Sequence, residues 1–209
     1  MHPNPIFHTA DAVKNLGFAR DRGFGVLAVS AEGGPLMAHI PFLLSDDGET
    51  AELHLLRSNP IARALSAPLP AKIAVSGPDT YVSPDWYEVP DQVPTWNYVA
   101  VHLKGKLRMQ PTEALHDLLD RQSAAYETRL LPKPPWKTEK MTPDIMERMM
   151  RTIVPCAFDI AGVDGTWKLN QNKPDDVRMR AADQVAAHGF GSETSLMAAL
   201  MRNAGKGSL

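Results

Sequence analysis

The sequence is poor in the features that would place the protein in a membrane, outside the cell or on nucleic acid. It has one cysteine, Cys156, so no disulfide can form within the chain. No stretch approaches the ~20 apolar residues that span a bilayer, and the opening MHPNPIFHTA lacks the charged and apolar regions of a signal peptide. The 22 Lys and Arg are outnumbered by 24 Asp and Glu, so there is no general basic excess. We therefore expect a cytoplasmic protein without a membrane anchor.

The composition that remains is that of an ordinary globular domain. The 209 residues are 44% hydrophobic and 22% charged, close to average values. A chain of this length buries roughly 70% of its unfolded surface, so it can form a core without disulfides or metals. The sequence has no G-x-S-x-G, H-E-x-x-H or P-loop motif, and a single cysteine excludes a zinc site built from thiolates.

Short apolar runs separated by turn clusters dominate the chain. They lie at residues 24–30, 36–44, 51–57, 71–76, 96–109 and 156–163. Connections of five and six residues between the early runs favour antiparallel hairpins, because crossover helices need more chain. In the run 96–109, Val99, Val101 and Leu103 alternate with more polar residues, which is typical of a half-buried strand. The sequence predicts a mainly β fold, a six- to seven-stranded antiparallel barrel with inserted helices.

Helical periodicity appears before and between the later strands. Residues 9–22 predict an amphipathic helix with Thr9 as N-cap and Val13 facing inward. Further helices are predicted at 112–130 and 142–153, and a polar, alanine-rich helix ends the chain. The methionines of the second inserted segment are interpreted as filler on a core-facing helix: Met141, Met146, Met149 and Met150.

Polar and aromatic residues are concentrated at the predicted strand ends, with few carboxylates among them. Residues 57–59 supply a cation, a hydroxyl and turn amides together, which suits a phosphate. Aromatic and amide side chains suit a planar heteroaromatic ring: Trp86, Trp96, Asn97 and Tyr98. The alternatives are a solvated arginine and ordinary core rings. A metal site at His39 and His54 is also conceivable, although strand histidines usually have structural partners.

The segments AHIPF, LRSNP, GPDTYVSPDWY, VPTWNYVAVHLKG, IVPCAFDIAGVDGTWK and LNQNK occur in this order. Together they resemble the FMN-binding negative transcriptional regulator family, the PaiB-like proteins, from the opening residues to about Asn172. The resemblance implies a split β-barrel of the FMN-binding type, related to pyridoxamine-phosphate oxidase and flavin reductases. It also implies a homodimer with FMN at the subunit interface. It predicts a domain at 1–173 that contains the inserted helices, with 174–209 as a helical tail packed on it.

The resemblance also assigns site residues. Arg57, Ser58 and Asn59 would hold the phosphate or ribityl chain, and the adjacent strand would face the flavin. The complete predicted FMN-binding set is His39, Ile40, Pro41, Arg57, Ser58, Asn59, Thr95, Trp96, Asn97, Tyr98, Lys168, Gln171 and Asn172. The family usually has Ser where this chain has Asn170, and the tail follows the family only loosely.

The resemblance leaves the activity open between three classes. Repression would need DNA binding, yet the 142–153 helix has only Arg148 and Arg151 as cations, so a dimer would have to pair two modest patches. A flavin-dependent oxidoreductase is the alternative, because FMN accepts hydride itself and no catalytic acid is needed. The third class is a flavin or haem carrier without turnover.

Overall fold

The computed structural model describes residues 1–205. Within them the α-helices are α1 Ala12–Arg22, α2 Pro60–Ala64, α3 Leu115–Glu127, α4 Pro143–Met150, α5 Asp175–His188 and α6 Thr194–Asn203. The strands are β1 Phe24–Val29, β2 Leu36–Pro41, β3 Leu43–Leu44, β4 Thr50–Leu56, β5 Leu69–Val82, β6 Thr95–Met109 and β7 Ile153–Lys168. Short 3-10 turns lie at Pro5–Phe7, Pro84–Tyr87, Thr112–Ala114, Thr128–Leu130 and Thr138–Lys140.

The strands form one seven-stranded sheet in the order β2-β1-β5-β6-β7-β4-β3. β1 pairs antiparallel with β2 and β5, so that Val26 lies between His39 and Ala74. β4 pairs antiparallel with β3 and along its full length with β7. The prediction of six or seven antiparallel strands with inserted helices is confirmed. In residues 1–205 no helix is long and apolar enough to cross a membrane.

The chain separates into two compact units. The central unit comprises residues 16–75 and 102–163. Its core contains alternate residues of several strands, such as Leu27, Leu53 and Phe158, as the two-residue period of a half-buried strand requires. Gly105 belongs here because a Cβ at this position would lie 1.9 Å from the carbonyl oxygen of Asp159. Only glycine allows the backbone to approach so closely.

The terminal unit comprises residues 1–15, 76–101 and, as far as the structure describes them, 164–205. Trp167 is buried, and its indole N–H donates to Asn15 Oδ1 at 2.8 Å. Helices α5 and α6 pack against each other, and each buries a run of small or apolar side chains. The predicted tail therefore contributes to a core. The domain boundary at residue 173 stays a prediction, and residues 206–209 of the tail lie outside the described residues.

The structure corrects the prediction for the first helix. Helix α1 begins at Ala12, and Asp11 Oδ1 accepts the backbone N–H of Lys14 at 2.8 Å. The N-cap at Thr9 was therefore wrong, because Asp11 provides the capping oxygen nearer the first turn. Val13 is 78% exposed, since the buried side of the helix is formed by Asn15 and Ala19.

The later helices also differ from expectation. The helix predicted for 142–153 ends at Met150, and β7 begins at Ile153. Its interpretation as a core-facing helix was wrong, because Ile145 is 42% and Met149 55% exposed. The single predicted tail helix is two helices. The break contains Gly191 at a φ of 150°, where a Cβ would lie 2.3 Å from the carbonyl oxygen of Asp79.

Candidate functional site

The turn that follows β4 is formed by residues 57–59. The backbone N–H of Asn59 donates to the Leu56 carbonyl at 2.9 Å and closes the turn. Asn59 Oδ1 accepts the backbone N–H of Ile61 at 2.9 Å, which caps α2, and Pro60 begins that helix. The side-chain oxygen of Asn59 therefore has a structural function, and its NH₂ group is the part suited to a ligand.

The backbone and Nε of Arg57 are held by hydrogen bonds, while its terminal guanidinium nitrogens are exposed. Its backbone N–H donates to the Thr152 carbonyl at 2.9 Å, and its Nε donates to the Arg151 carbonyl at 2.8 Å. Arg57 and Ser58 are both exposed. Over residues 1–205, Arg57 forms no ion pair with a carboxylate. A fixed guanidinium and the hydroxyl of the next residue are thus both exposed, and together they are the kinds of donor that a phosphate requires.

The predicted residues of β2 have three different environments. His39 is exposed and its ring is stacked on Phe24, with centroids 6.4 Å apart. Ile40 is buried in the core, so that only its backbone is available to a ligand. Pro41 is half-buried. Where the structure describes the chain, no group of three metal-ligating side chains occurs, so the geometry adds no third ligand to His39 and His54.

The start of β6 contains the second group of predicted residues. Thr95 Oγ1 is in hydrogen-bond contact with Lys168 Nζ. Trp96 is 44% exposed, and its ring lies 5.8 Å from that of Phe190. Asn97 is completely buried, and neither atom of its amide finds a partner in the part of the chain that the structure describes. A buried amide without partners is costly, and its complete burial keeps this side chain away from a ligand bound at the surface.

The third group of predicted residues lies at the end of β7 and just after it, and one of them contacts the amino-terminal segment. Gln171 Nε2 donates to the carbonyls of Ile6 at 3.1 Å and Trp167 at 2.6 Å, while its Oε1 accepts the Leu169 N–H at 2.8 Å. Both N–H groups and the oxygen of this amide are therefore engaged with the protein's own backbone. Burial lowers the pKa of the Lys168 amine, and Asn172 is exposed. Of the three, Lys168 and Asn172 are the better suited to a ligand.

Position 170 has a structural explanation that sequence reasoning missed. Asn170 has a φ of 61° and is buried. Asparagine is among the few non-glycine residues that adopt this left-handed conformation readily, which accounts for Asn where the family usually has Ser. Burial raises the pKa of the Tyr87 hydroxyl, and a hydrogen bond with Asn170 opposes that shift. A motif comparison alone gives no signal for either property.

The structure divides the predicted set between the two units. His39, Ile40, Pro41 and residues 57–59 belong to the central unit, while residues 95–98, Lys168, Gln171 and Asn172 belong to the terminal unit. The set contains no carboxylate. Cations, hydroxyls, amides and an exposed indole fit a molecule that combines a phosphate with a polar ring system.

The antiparallel sheet with inserted helices and the comparison with known families together identify an FMN-binding domain. A family model described as "Putative FMN-binding domain" matches residues 1–162, and the chain belongs to this family. The chain is 28% identical over 187 residues to "Protease synthase and sporulation protein PAI 2" of Bacillus subtilis, covering 88% of this chain and 89% of that protein. The resemblance to the PaiB-like proteins is thereby confirmed.

Two solved structures share the fold. The FAD and heme binding protein from Mycobacterium smegmatis superposes with a TM-score of 0.56 at 17% identity, covering 89% of this chain and 82% of that one. The flavocytochrome Anf3 from Azotobacter vinelandii superposes with a TM-score of 0.57 at 13% identity, covering 80% and 72%. The similarity at these identities concerns the fold, and it confirms the predicted split barrel.

Proposed function

We propose that the chain binds FMN non-covalently as a homodimer and acts as a transcriptional regulator of the PaiB-like type. Family membership supports the cofactor, and the relatedness to the Bacillus subtilis protein supports the type of function. Bound FMN would supply redox chemistry, because the flavin ring accepts hydride without a catalytic side chain. A cytoplasmic location is part of the proposal and depends on the single, buried cysteine.

The observation on which the proposal mainly depends is the fixed, unneutralised guanidinium of Arg57. Its Nε is engaged with the Arg151 carbonyl, which orients the plane of the group and leaves the two terminal nitrogens for a ligand. Ser58 adds a hydroxyl beside it. A phosphate dianion binds best to an oriented fork of donors, and the hydrogen bonds gain strength from the charges.

The second group, at the start of β6 and from Lys168 at the end of β7 onward, supplies the other residues of the proposed FMN-binding set. Lys168 and Thr95 form one polar pair, and Trp96 presents an exposed ring face. The side chain of Asn97 is buried within the chain, so that, as for Ile40, only its backbone is available to FMN.

The regulator function is proposed to act through the dimer, because a single chain offers little positive surface. Arg151, which follows α4, is paired with Glu147 at 3.2 Å, and Arg148 is the cation within that helix. A two-fold axis would double these modest charges on one face. A salt titration of binding to the protein's own promoter tests this, and equal affinity for unrelated DNA would count against regulation.

The cofactor proposal is tested by titrating FMN into three proteins: the wild type, Arg57→Ala and Arg63→Ala. Arg63 is an exposed arginine of α2 and is the matched control, because its substitution removes the same charge from the same region. We expect Arg57→Ala to weaken FMN binding by about 1.5–3 kcal/mol, roughly 10- to 150-fold, while Arg63→Ala changes it less than about twofold. A wild type that takes up no FMN contradicts the proposal. Equal binding by Arg57→Ala would assign the phosphate to other residues.

A further inference from the structure

Helix α4 has an apolar side that is not part of the core. Its charged residues, Asp144, Glu147 and Arg148, are exposed, as expected for the solvent side of an amphipathic helix. None of the eight residues of the helix is buried, however. Met146 and Met150 are half-buried, and Met149 is exposed. The methionines therefore border an open space instead of filling a gap in packed side chains.

This space is a cavity of about 330 Å³ within the central unit. It lies between the α4 methionines, Trp136 of the connector, Ser123 of α3, and the β4 and β7 residues that include His54 and Ile153. No lining residue is an Asp, Glu, Lys or Arg. The volume lies at the lower end of the range for small-molecule sites, and the predominantly apolar lining is typical of them.

The outer wall of the cavity is fastened to the helix beneath it. The backbone N–H of Trp136 donates to the Glu127 carboxylate at 2.7 Å. The hydroxyl of Thr138 donates to Asp120 at 2.5 Å. Both acceptors belong to α3, so the connector that presents the indole is held in place. One wall of the cavity is therefore fixed by hydrogen bonds to α3. The flexible thioether side chains on the opposite wall allow the cavity to adapt to a ligand.

His54 is the ionisable group that lines this cavity. Its Nδ1 is buried and has no hydrogen-bond partner within residues 1–205. Burial lowers the pKa of the imidazole, and contact with the Gln122 amide opposes that shift. The lowered pKa favours the neutral form of the ring. A cavity with a neutral histidine and no formal charge favours a neutral ligand, because a charged one would lose its hydration without an ionic partner.

We propose that this cavity, defined by Met146, Met149, Met150, Trp136, Ser123 and His54, binds a small neutral aromatic molecule. The ring would stack against the indole and the polarisable sulfur atoms, which contact aromatic faces and edges favourably. The lining shares no residue with the predicted FMN-binding set and has no cation for a phosphate dianion, but it adjoins Arg57 through Leu56 and Thr152, whose carbonyl accepts the Arg57 N–H. The occupant is a small molecule, since the volume is too small for a helix of a partner protein.

The experiment uses N-phenyl-1-naphthylamine, a neutral aromatic probe whose fluorescence rises in apolar sites. We expect saturable binding at one probe per chain. Met146→Trp should fill the cavity and weaken binding at least tenfold. Met179→Trp is the matched control: it makes the same change at an exposed methionine of α5 and should leave binding unchanged. FMN titration of each variant is a separate measurement, and Met146→Trp should bind FMN as the wild type does.

A second variant keeps the proposal testable if Met146→Trp does not fold. Met149 is 55% exposed, so Met149→Gln should fold normally and weaken probe binding several-fold by making the wall polar. The proposal is overturned if the wild type shows no saturable binding, or if Met146→Trp and Met149→Gln bind the probe like the wild type. It is also overturned if FMN displaces the probe competitively, since the two sites would then be one. A failure of FMN binding with intact probe binding would contradict only the proposed function.

Discussion

Arg178 and Arg57 form the same hydrogen bond in opposite surroundings. In each case Nε donates to a backbone carbonyl at 2.8 Å, that of Met201 for Arg178 and that of Arg151 for Arg57. Arg178 is only 3% exposed and is paired with Asp175 at 2.6 Å. Arg57 is exposed and lacks a carboxylate partner in residues 1–205. The bond to the backbone is thus common to both arginines, and the environment of the terminal nitrogens distinguishes them.

Arg121 lies between these two extremes. It donates to Glu52 at 2.6 Å and to Asp117 at 2.7 Å, and its side chain is 43% exposed. Because its charge is already neutralised, an anionic ligand would have to displace a carboxylate. The three residues form a series from the structural Arg178 to Arg57, which is proposed to bind a ligand, ordered by burial and by internal partners. Substitution of each by alanine tests that order.

Arg178→Ala should have the largest effect on stability. It removes the buried hydrogen bond from α5 to the Met201 carbonyl of α6, which keeps only the Ala204 N–H at 3.3 Å, and it opens a cavity under two packed helices. We expect a loss of about 3 kcal/mol in the free energy of unfolding, measured by urea denaturation. Arg178→Lys is the control, since it keeps the charge and much of the volume and should lose less. A loss below about 1 kcal/mol for the alanine variant would contradict a structural function.

Arg121→Ala should cost about 0.5–1 kcal/mol at pH 7, because its ion pairs are partly exposed. The hydrogen bond from Arg121 holds the pKa of Glu52 below its ordinary value of 4.5. A lowered carboxylate pKa gives stability that is complete above 4.5 and is lost as the pH falls through the lower, folded-state value. The difference between Arg121→Ala and the wild type should therefore shrink from pH 7 to pH 3. Melting temperatures across that range measure it, and a difference that stays constant would contradict the pairing.

The sheet could be predicted from the sequence because its signal is local. Val99, Val101 and Leu103 are buried and the residues between them are not, as predicted. A strand with one face in the core must follow this period of two. Element ends were less predictable. The helical period of apolar residues in the sequence of α4 continues to Ile153. In the structure that residue belongs to β7 and pairs with Leu56 of β4. Strand pairing is a long-range interaction that local periodicity does not reveal.

The candidate site was predictable as a set of residue types and only partly as a set of functions. The exposed cation and hydroxyl at residues 57 and 58 follow from a polar turn after a strand. The capping function of Asn59 and the backbone contacts of Gln171 depend on neighbours that are remote in sequence or lie in the following helix. The methionines of α4 show the same limit, because an apolar helical stripe looks identical whether it faces a core or a cavity.

Arg57→Ala should have the smallest effect on the stability of the protein without FMN, within about 0.5 kcal/mol, because an exposed side chain without an ionic partner is lost. Urea denaturation with FMN added separates the two functions of the residue. A ligand at 100 times its Kd stabilises the wild type by about 2.7 kcal/mol, and a 10- to 150-fold weaker Kd reduces this gain to about 0.3–1.4 kcal/mol in the variant at the same FMN concentration. If Arg57→Ala instead destabilises the FMN-free protein by more than about 1 kcal/mol, its bond to the Arg151 carbonyl is a structural link. Arg57 would then belong with Arg178, and the exposed guanidinium would no longer support a phosphate site.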